Sequence, residues 1–323
     1  MEPPASHGAA ERPGTAVSLD RSRYLLISRI GGNSLHEQWL RPAAARNFDV
    51  LLSSYDRSVV PPAAGVRFEY RAGAKVSGYA AILREHAQLI ASYDYVALFD
   101  DDLAADAVTI SGLFETCARY DLKIAQPALD HASFFTYACM LEHKGFLLRY
   151  TTQVEMMCPV FRSDILLSLA PLFELGFESG IDLIWSGLVH EHPRDLAVID
   201  AYPVRHTRRV SLLKEANGFE GTSYGRDIRS ILALFDAPWL PCLNYGGIRR
   251  GGRSTESRIR LAAAAATVLL AVPRHLPMRW RLRSVAVYFN HLRRWAPRNV
   301  RLAWPPERAR GADSLEQSSP RVL

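Results

Sequence analysis

Tyr95-Val96-Ala97-Leu98-Phe99-Asp100-Asp101-Asp102-Leu103 is the stretch on which the reading of this chain turns. Its apolar run has strand length and predicts a strand buried on both faces. It runs straight into three acids. Like charges this close raise one another's pKa and oppose ionisation, so something positive is expected among them. Hard oxygen donors favour Mg²⁺ or Mn²⁺, and Mg²⁺ keeps waters and phosphate oxygens as further ligands. Side chains alternate along an extended segment. Asp100 and Asp102 can then share a metal and a diphosphate while Asp101 points elsewhere. The plainer alternative is an acidic loop before the next helix, with Asp106 as its N-cap.

Upstream, Tyr24-Leu25-Leu26-Ile27-Ser28 predicts a strand that ends at the turn Gly31-Gly32-Asn33. A helix is expected over 34–45, strands over 48–53 and 66–70, and a helix over 79–92, where apolar residues recur at helical spacing. Downstream, 107–119 reads as helix, 123–126 as strand, 154–161 as extended, 163–173 and 180–190 as helices, and 196–200 as the last core strand. Alternating strands and helices with continuous apolar strands predict an α/β fold, a mostly parallel sheet covered on both faces. Ligands of such sheets bind beyond the carboxyl ends of the strands. The aspartates and the Gly31-Gly32-Asn33 turn both belong on that rim.

The chain has 323 residues, a hydrophobic fraction of 48% and a charged fraction of 22%, as in ordinary globular proteins. Residues 1–21 read as a disordered leader, 22–250 as the catalytic domain, and 251–323 as a basic, partly helical extension with a disordered end. Net charge is +6, with arginine concentrated after residue 249. The apolar run 261–272 is too short to span a bilayer, which takes about twenty residues. With the later Trp280, Val285, Val287, Tyr288, Phe289 and Trp295 it suits either a helix on a membrane surface or a hairpin packed on the domain. Cys117, Cys139, Cys158 and Cys242 have no CxxC spacing, which fits neither a zinc site nor a disulfide framework and suits the cytoplasm.

The segment 95–103 resembles the strand and DxD motif of glycosyltransferases with the GT-A fold, in which a nucleotide-binding α/β half precedes an acceptor-binding half. More narrowly, three motifs resemble a plant and bacterial family catalogued as domain of unknown function 707. They are Phe99-Asp100-Asp101-Asp102-Leu103, Ile124-Ala125-Gln126-Pro127-Ala128-Leu129-Asp130 and Val154-Glu155-Met156-Met157-Cys158-Pro159-Val160-Phe161. Gly180-Ile181-Asp182 and Val198-Ile199-Asp200 continue the likeness in the same order, over residues 24–209. The resemblance implies a GT-A-like sheet with a nucleotide-sugar donor and a glycan or glycolipid acceptor. Asp100 and Asp102 match the DxD motif and are the expected metal and donor ligands, with Asp101 beside them. His206 follows the last core strand, where such enzymes often place a further metal ligand; the alternative is a surface histidine among arginines.

Asp182 falls where inverting members place a catalytic carboxylate. Its apolar neighbours would raise its pKa, as suits a general base, though an acid at a helix N-terminus needs no catalytic role. Glu155 stands alone in an apolar segment and should be paired or active; it is the other candidate base. Gln126 and Asp130 are weaker candidates for donor binding, as is Lys75, which is placed to neutralise a diphosphate. The expected partners are therefore a nucleotide-sugar donor, a glycan or glycolipid acceptor and, through the basic tail, a membrane surface.

Two rival readings remain. One is a metal-dependent phosphoesterase, which would also use clustered aspartates and a histidine. The other is a non-catalytic module that binds sugar nucleotide or glycan. The sequence carries no GxGxxG and no nucleic-acid-binding motif.

Overall fold

Tyr24–Ile30 forms β1, and all its residues are buried. The computed structural model describes residues 22–62, 65–208, 224–239, 242–271, 278, 279, 282, 286 and 301–305. The burial of β1 is shared between two apolar layers. Leu25 and Ile27 pack with Val96 and Leu98 on one side of the sheet, and Leu26 packs with Ala97 and Phe99 on the other. A strand covered on both faces has no polar side to show, which is why these runs read as continuous apolar sequence.

β2 (Phe48–Ser54) and β4 (Tyr95–Asp100) flank β1, and β3 (Arg67–Tyr70) lies beyond β2, all parallel. The later strands are β5 (Leu103–Ala104), β6 (Ile124–Leu129), β7 (Phe146–Thr151), β8 (Val160–Arg162), β9 (Leu196–His206), β10 (Asn244–Arg249) and β11 (Ser254–Thr255). The sheet order is β11-β10-β7-β9-β6-β8-β4-β1-β2-β3, and β5 pairs with the end of β9. β8 runs antiparallel between β4 and β6, and β7 runs antiparallel between β9 and β10. β1 to β4, β6, β9 and β10 therefore share one direction, against β7, β8 and β11. One face is covered by the helix Ala107–Arg119. The other is covered by Lys75–Glu85, Ser163–Ser168, Ala170–Phe173 and Asp182–Val189. The chain is α/β, a mixed and mostly parallel sheet flanked by helices.

Several elements depart from the sequence reading for identifiable reasons. The helix expected over 34–45 is split into one turn, His36–Trp39, and a 3-10 turn, Ala43–Ala45. Pro42 lies between them and cannot continue the hydrogen-bond ladder of a helix interior. The next helix begins at Lys75, ahead of the expected 79, because a distant side chain caps it. Glu178 accepts from the backbone N–H groups of Val76 and Ser77 at 2.8 and 2.9 Å. Of the extended stretch 154–161 only the end is strand, in β8. Asp106 does cap the helix Ala107–Arg119, accepting from Thr109 N at 2.8 Å.

The expected boundary at residue 250 falls between β10 and β11, which form one hairpin. The helix Arg258–Ala271 then buries Leu261, Ala265 and Val268, and Ala265 and Val268 join the core on the face carrying Ala107–Arg119. Trp304 packs its ring against Phe235 with centroids 5.8 Å apart, and Leu302 donates its N–H to the Gly187 carbonyl. Among the described residues no helix is long and apolar enough to cross a membrane. The leader 1–21 and the apolar residues Trp280, Val285, Val287, Tyr288, Phe289 and Trp295 lie outside the described residues.

Candidate active site

β1 to β4 end together, and their carboxyl ends place Gly31, Tyr55, Arg71 and Asp101 on one rim. Asp101 ties that rim together. Its carboxylate accepts from Gly31 N at 2.9 Å and from the Tyr55 hydroxyl at 3.3 Å, and pairs with Arg208 at 3.1 Å. The Tyr55 hydroxyl lies 2.4 Å from where a Cβ on Gly31 would stand, so any larger residue there would displace it. Arg208 also reaches the Asn33 carbonyl. The sequence suggested donor binding for Asp101, but both of its oxygens are taken by protein partners. It fastens the Gly31 turn to the end of β4.

Asp102 is placed by strand pairing. In β5, Leu103 is registered opposite His206 of β9, and Thr207 donates from both its N–H and its hydroxyl to the Asp102 carbonyl. The side chains then meet, with Asp102 Oδ2 3.2 Å from His206 Nε2. His206 Nδ1 lies 2.9 Å from the Phe134 carbonyl, which can only accept, so Nδ1 carries the hydrogen and Nε2 faces Asp102. Burial works against a charge on His206. The hydrogen bond and negative charge of Asp102 outweigh it and hold the imidazole above its ordinary pKa. The other oxygen, Asp102 Oδ1, is buried with no hydrogen-bond partner.

Asp100 turns to Lys75, with Nζ 2.5 Å from Oδ1 and also 2.9 Å from the Met156 carbonyl. Burial pushes the Asp100 carboxyl up to about 6, against the pull of Lys75 and with the push of Asp102. Met156 in turn donates its N–H to Asp182 Oδ2 at 3.3 Å. Asp182 opens the helix Asp182–Val189 and is half-buried; burial raises its pKa, and the backbone N–H groups it faces restrain the rise. Glu155, next along the chain from Met156, is 5% exposed, and its Oε2 has no partner. Burial first, and the nearby charge of Asp182 second, push its carboxyl to about 8. Gln126 is fully buried, and its Oε1 accepts the Glu155 N–H at 2.7 Å, so it positions the acid's backbone.

Asp130 holds a turn. It accepts from Ala132 N and from the Ser133 hydroxyl and pairs with Arg205 at 2.6 Å. Ser133 Oγ accepts the His206 N–H, so Asp130 supports the histidine from behind and does not face the site. Arg29 went unnoticed in the sequence. It is 4% exposed, donates to Ser53 Oγ and to the carbonyls of Arg71 and Gly73, and leaves Nε unpartnered. A lone arginine in an apolar strand was the available signal, since burial of its charge demands partners. Asp200, quoted within the last core motif, belongs to a buried ion pair with Arg149.

Asp100, Asp102 and His206 were expected to converge on one metal. Among the described residues no three His, Cys, Asp or Glu side chains are grouped to hold a cation, and Asp100 is engaged by Lys75. What fits a divalent ion is the pair Asp102 and His206. Asp102 brings an oxygen that is buried and free, and His206 a nitrogen whose ring is oriented by a carbonyl, as metal-binding histidines usually are.

The profile of a family described as "Protein of unknown function (DUF707)" matches residues 79–147. That stretch contains the aspartates and the Ile124–Leu129 strand and stops before Glu155, Asp182 and His206. No curated protein matches the sequence. Among solved structures, S. aureus TarS 1-349 in complex with UDP-GlcNAc aligns with TM-score 0.39 and 9% identity, over 85% of this chain and 73% of that one. S. aureus TarS 1-349 without that ligand gives 0.40 and 10%, over 85% and 72%. A197 from STIV gives 0.36 and 12%, over 58% of this chain and 86% of that one.

Proposed function

We propose that the chain is a metal-dependent glycosyltransferase that moves a sugar from a nucleotide-diphospho-sugar to a hydroxyl acceptor. The observation that carries this reading is the set of buried carboxyl oxygens without partners at the rim. The buried oxygens Asp102 Oδ1 and Glu155 Oε2 have no partner, and a cation, Lys75, stands between Asp100 and Met156. Buried polar atoms without partners are costly, and a ligand at the rim relieves that cost.

In this reading Asp102 and His206 hold Mn²⁺ or Mg²⁺, which when bound neutralises the charge of a diphosphate leaving group. Lys75 lends a second positive charge on the same side. Asp182 is the general base. It is the more open of the two buried acids, and its raised pKa suits proton transfer from an acceptor hydroxyl near neutrality. Glu155, held largely protonated below about pH 8, keeps a second negative charge away from Asp182 at working pH. A second reading exchanges their roles, and the unpartnered Glu155 Oε2 favours it. Asp182→Asn and Glu155→Gln separate the two, because the true base loses turnover with little change in donor binding.

The test of the function is thermal unfolding with a panel of nucleotide sugars, each with and without Mn²⁺ or Mg²⁺. A ligand at a hundred times its Kd stabilises by about 2.7 kcal/mol. One nucleotide sugar is expected to raise Tm only with metal, and Asp102→Ala to abolish the rise. Stabilisation by none of them, with either metal, would remove the donor site and leave phosphoesterase substrates and glycans to be tried.

A further inference from the structure

A cavity lies on the same rim of the sheet, beyond β9. Phe146 opens β7, which runs against β9, and Arg249 closes β10, which runs with it; both therefore stand at the end that carries Asp102 and His206. Between them and the helix Arg258–Ala271 is a pocket of about 640 Å³, within the roughly 300–1,000 Å³ usual for small-molecule sites.

Its lining has a marked polarity. Lys144, Arg249 and Arg260 come from a loop, a strand end and a helix, and none has a carboxylate within ion-pair reach among the described residues. The acid in the wall, Glu142, faces Arg250 at 3.9 Å. His143 lies deepest. It is 3% exposed, its backbone N–H is donated to Asp200 Oδ1, and its ring stands edge-on to Phe146, yet Nδ1 has no partner. Burial, and after it the nearby Arg149 charge, hold the ring neutral, so it presents one N–H and one lone pair and adds no charge of its own. The helix supplies a smooth apolar side through Ala264 and Val268.

We propose that this pocket binds an oxyanion carried on a sugar, that is, a phosphorylated or carboxylated saccharide. Three unpaired cations from separate segments match a phosphate or carboxylate. The apolar helix side suits the C–H face of a pyranose. The volume exceeds what an inorganic anion fills. Binding here does not rest on the transferase reading; on that reading the pocket holds the anionic part of the acceptor.

The test is calorimetric titration of the full chain with glucose 6-phosphate, glucuronate, inorganic phosphate and glucose, together with sedimentation on phosphatidylglycerol vesicles. Glucose 6-phosphate or glucuronate should bind more tightly than both inorganic phosphate and glucose. Arg249→Ala and Arg260→Ala, both at exposed positions, should each weaken that binding about tenfold. Asp102→Ala should leave it unchanged, so that failure here and failure of the donor site are read separately. Absence of binding by both sugar anions, inorganic phosphate binding as tightly as they do, or unaltered affinity in the double arginine variant would each overturn the proposal. So would arginine-dependent retention on vesicles without sugar binding.

Discussion

Two buried charge clusters share this sheet, and they are built on opposite principles. In one, the Arg149 and Asp200 side chains leave none of their own polar atoms without a partner. The guanidinium gives Asp200 two bonds, at 2.7 and 2.9 Å, and gives the Cys139 and Leu141 carbonyls one each, while His143 N supplies Asp200 with a third. Both side chains are fully buried. At the rim the accounts stay open, with Asp102 Oδ1, Glu155 Oε2 and Arg29 Nε all lacking partners. A closed network can only hold the fold together, whereas an open one, set where the parallel strands end, is arranged for something that arrives from outside.

Breaking the closed cluster should have the largest effect on stability. Arg149→Met leaves Asp200 charged, buried and alone, and is expected to cost about 3–5 kcal/mol in urea unfolding. Replacing both partners, as Arg149→Met with Asp200→Leu, should recover much of that loss, because no uncompensated charge remains. The open cluster should behave inversely. Asp102→Ala is expected to cost the metal-free protein much less than Arg149→Met does, while turnover falls by about a hundredfold or more, measured by urea unfolding beside an assay of sugar transfer.

A pH experiment sharpens the same contrast. Glu155 titrates at about 8 in the folded chain, against 4.5 for an ordinary glutamate. The folded state thus binds this proton more tightly than the unfolded state does. Stability should fall as pH rises through the window from about 4.5 to about 8, by up to about 1.4 kcal/mol per pH unit, and level off above it. Glu155→Gln removes that slope, and unfolding curves at several pH values should show the difference between the two proteins. Retention of the full slope in the variant would assign it to other groups. The smallest effect belongs to Asp106. It lies close to the aspartate run but only caps a helix, so Asp106→Ala should cost about 1 kcal/mol and leave the metal-dependent response to donor intact.

The parallel half of the fold was legible because burial on both faces writes itself as unbroken apolar runs at β1, β2 and β4. Two strands of the later half, β7 and β10, were not. They carry Arg149, Asn244, Gly246 and Gly247 among their apolar residues, and nothing local shows that Arg149 meets Asp200 across the sheet. Of the candidate residues, Lys75, Asp100, Asp102, Glu155, Asp182 and His206 all gather near the rim. Their pairings were hidden. That Asp102 meets His206 depends on the register of β5 with β9, and that Asp101 turns inward depends on Gly31, Tyr55 and Arg208, which are distant in sequence.

The most direct test of the open cluster is the binding of Mn²⁺, followed by its electron paramagnetic resonance signal with and without a nucleoside diphosphate. Wild type and Asp106→Ala should both deplete the free-ion signal when the nucleotide is present, whereas Asp102→Ala and His206→Ala should not. Depletion by all four proteins alike, or by none of them, would contradict the assignment of the unmatched Asp102 and His206 pair as a metal and donor site.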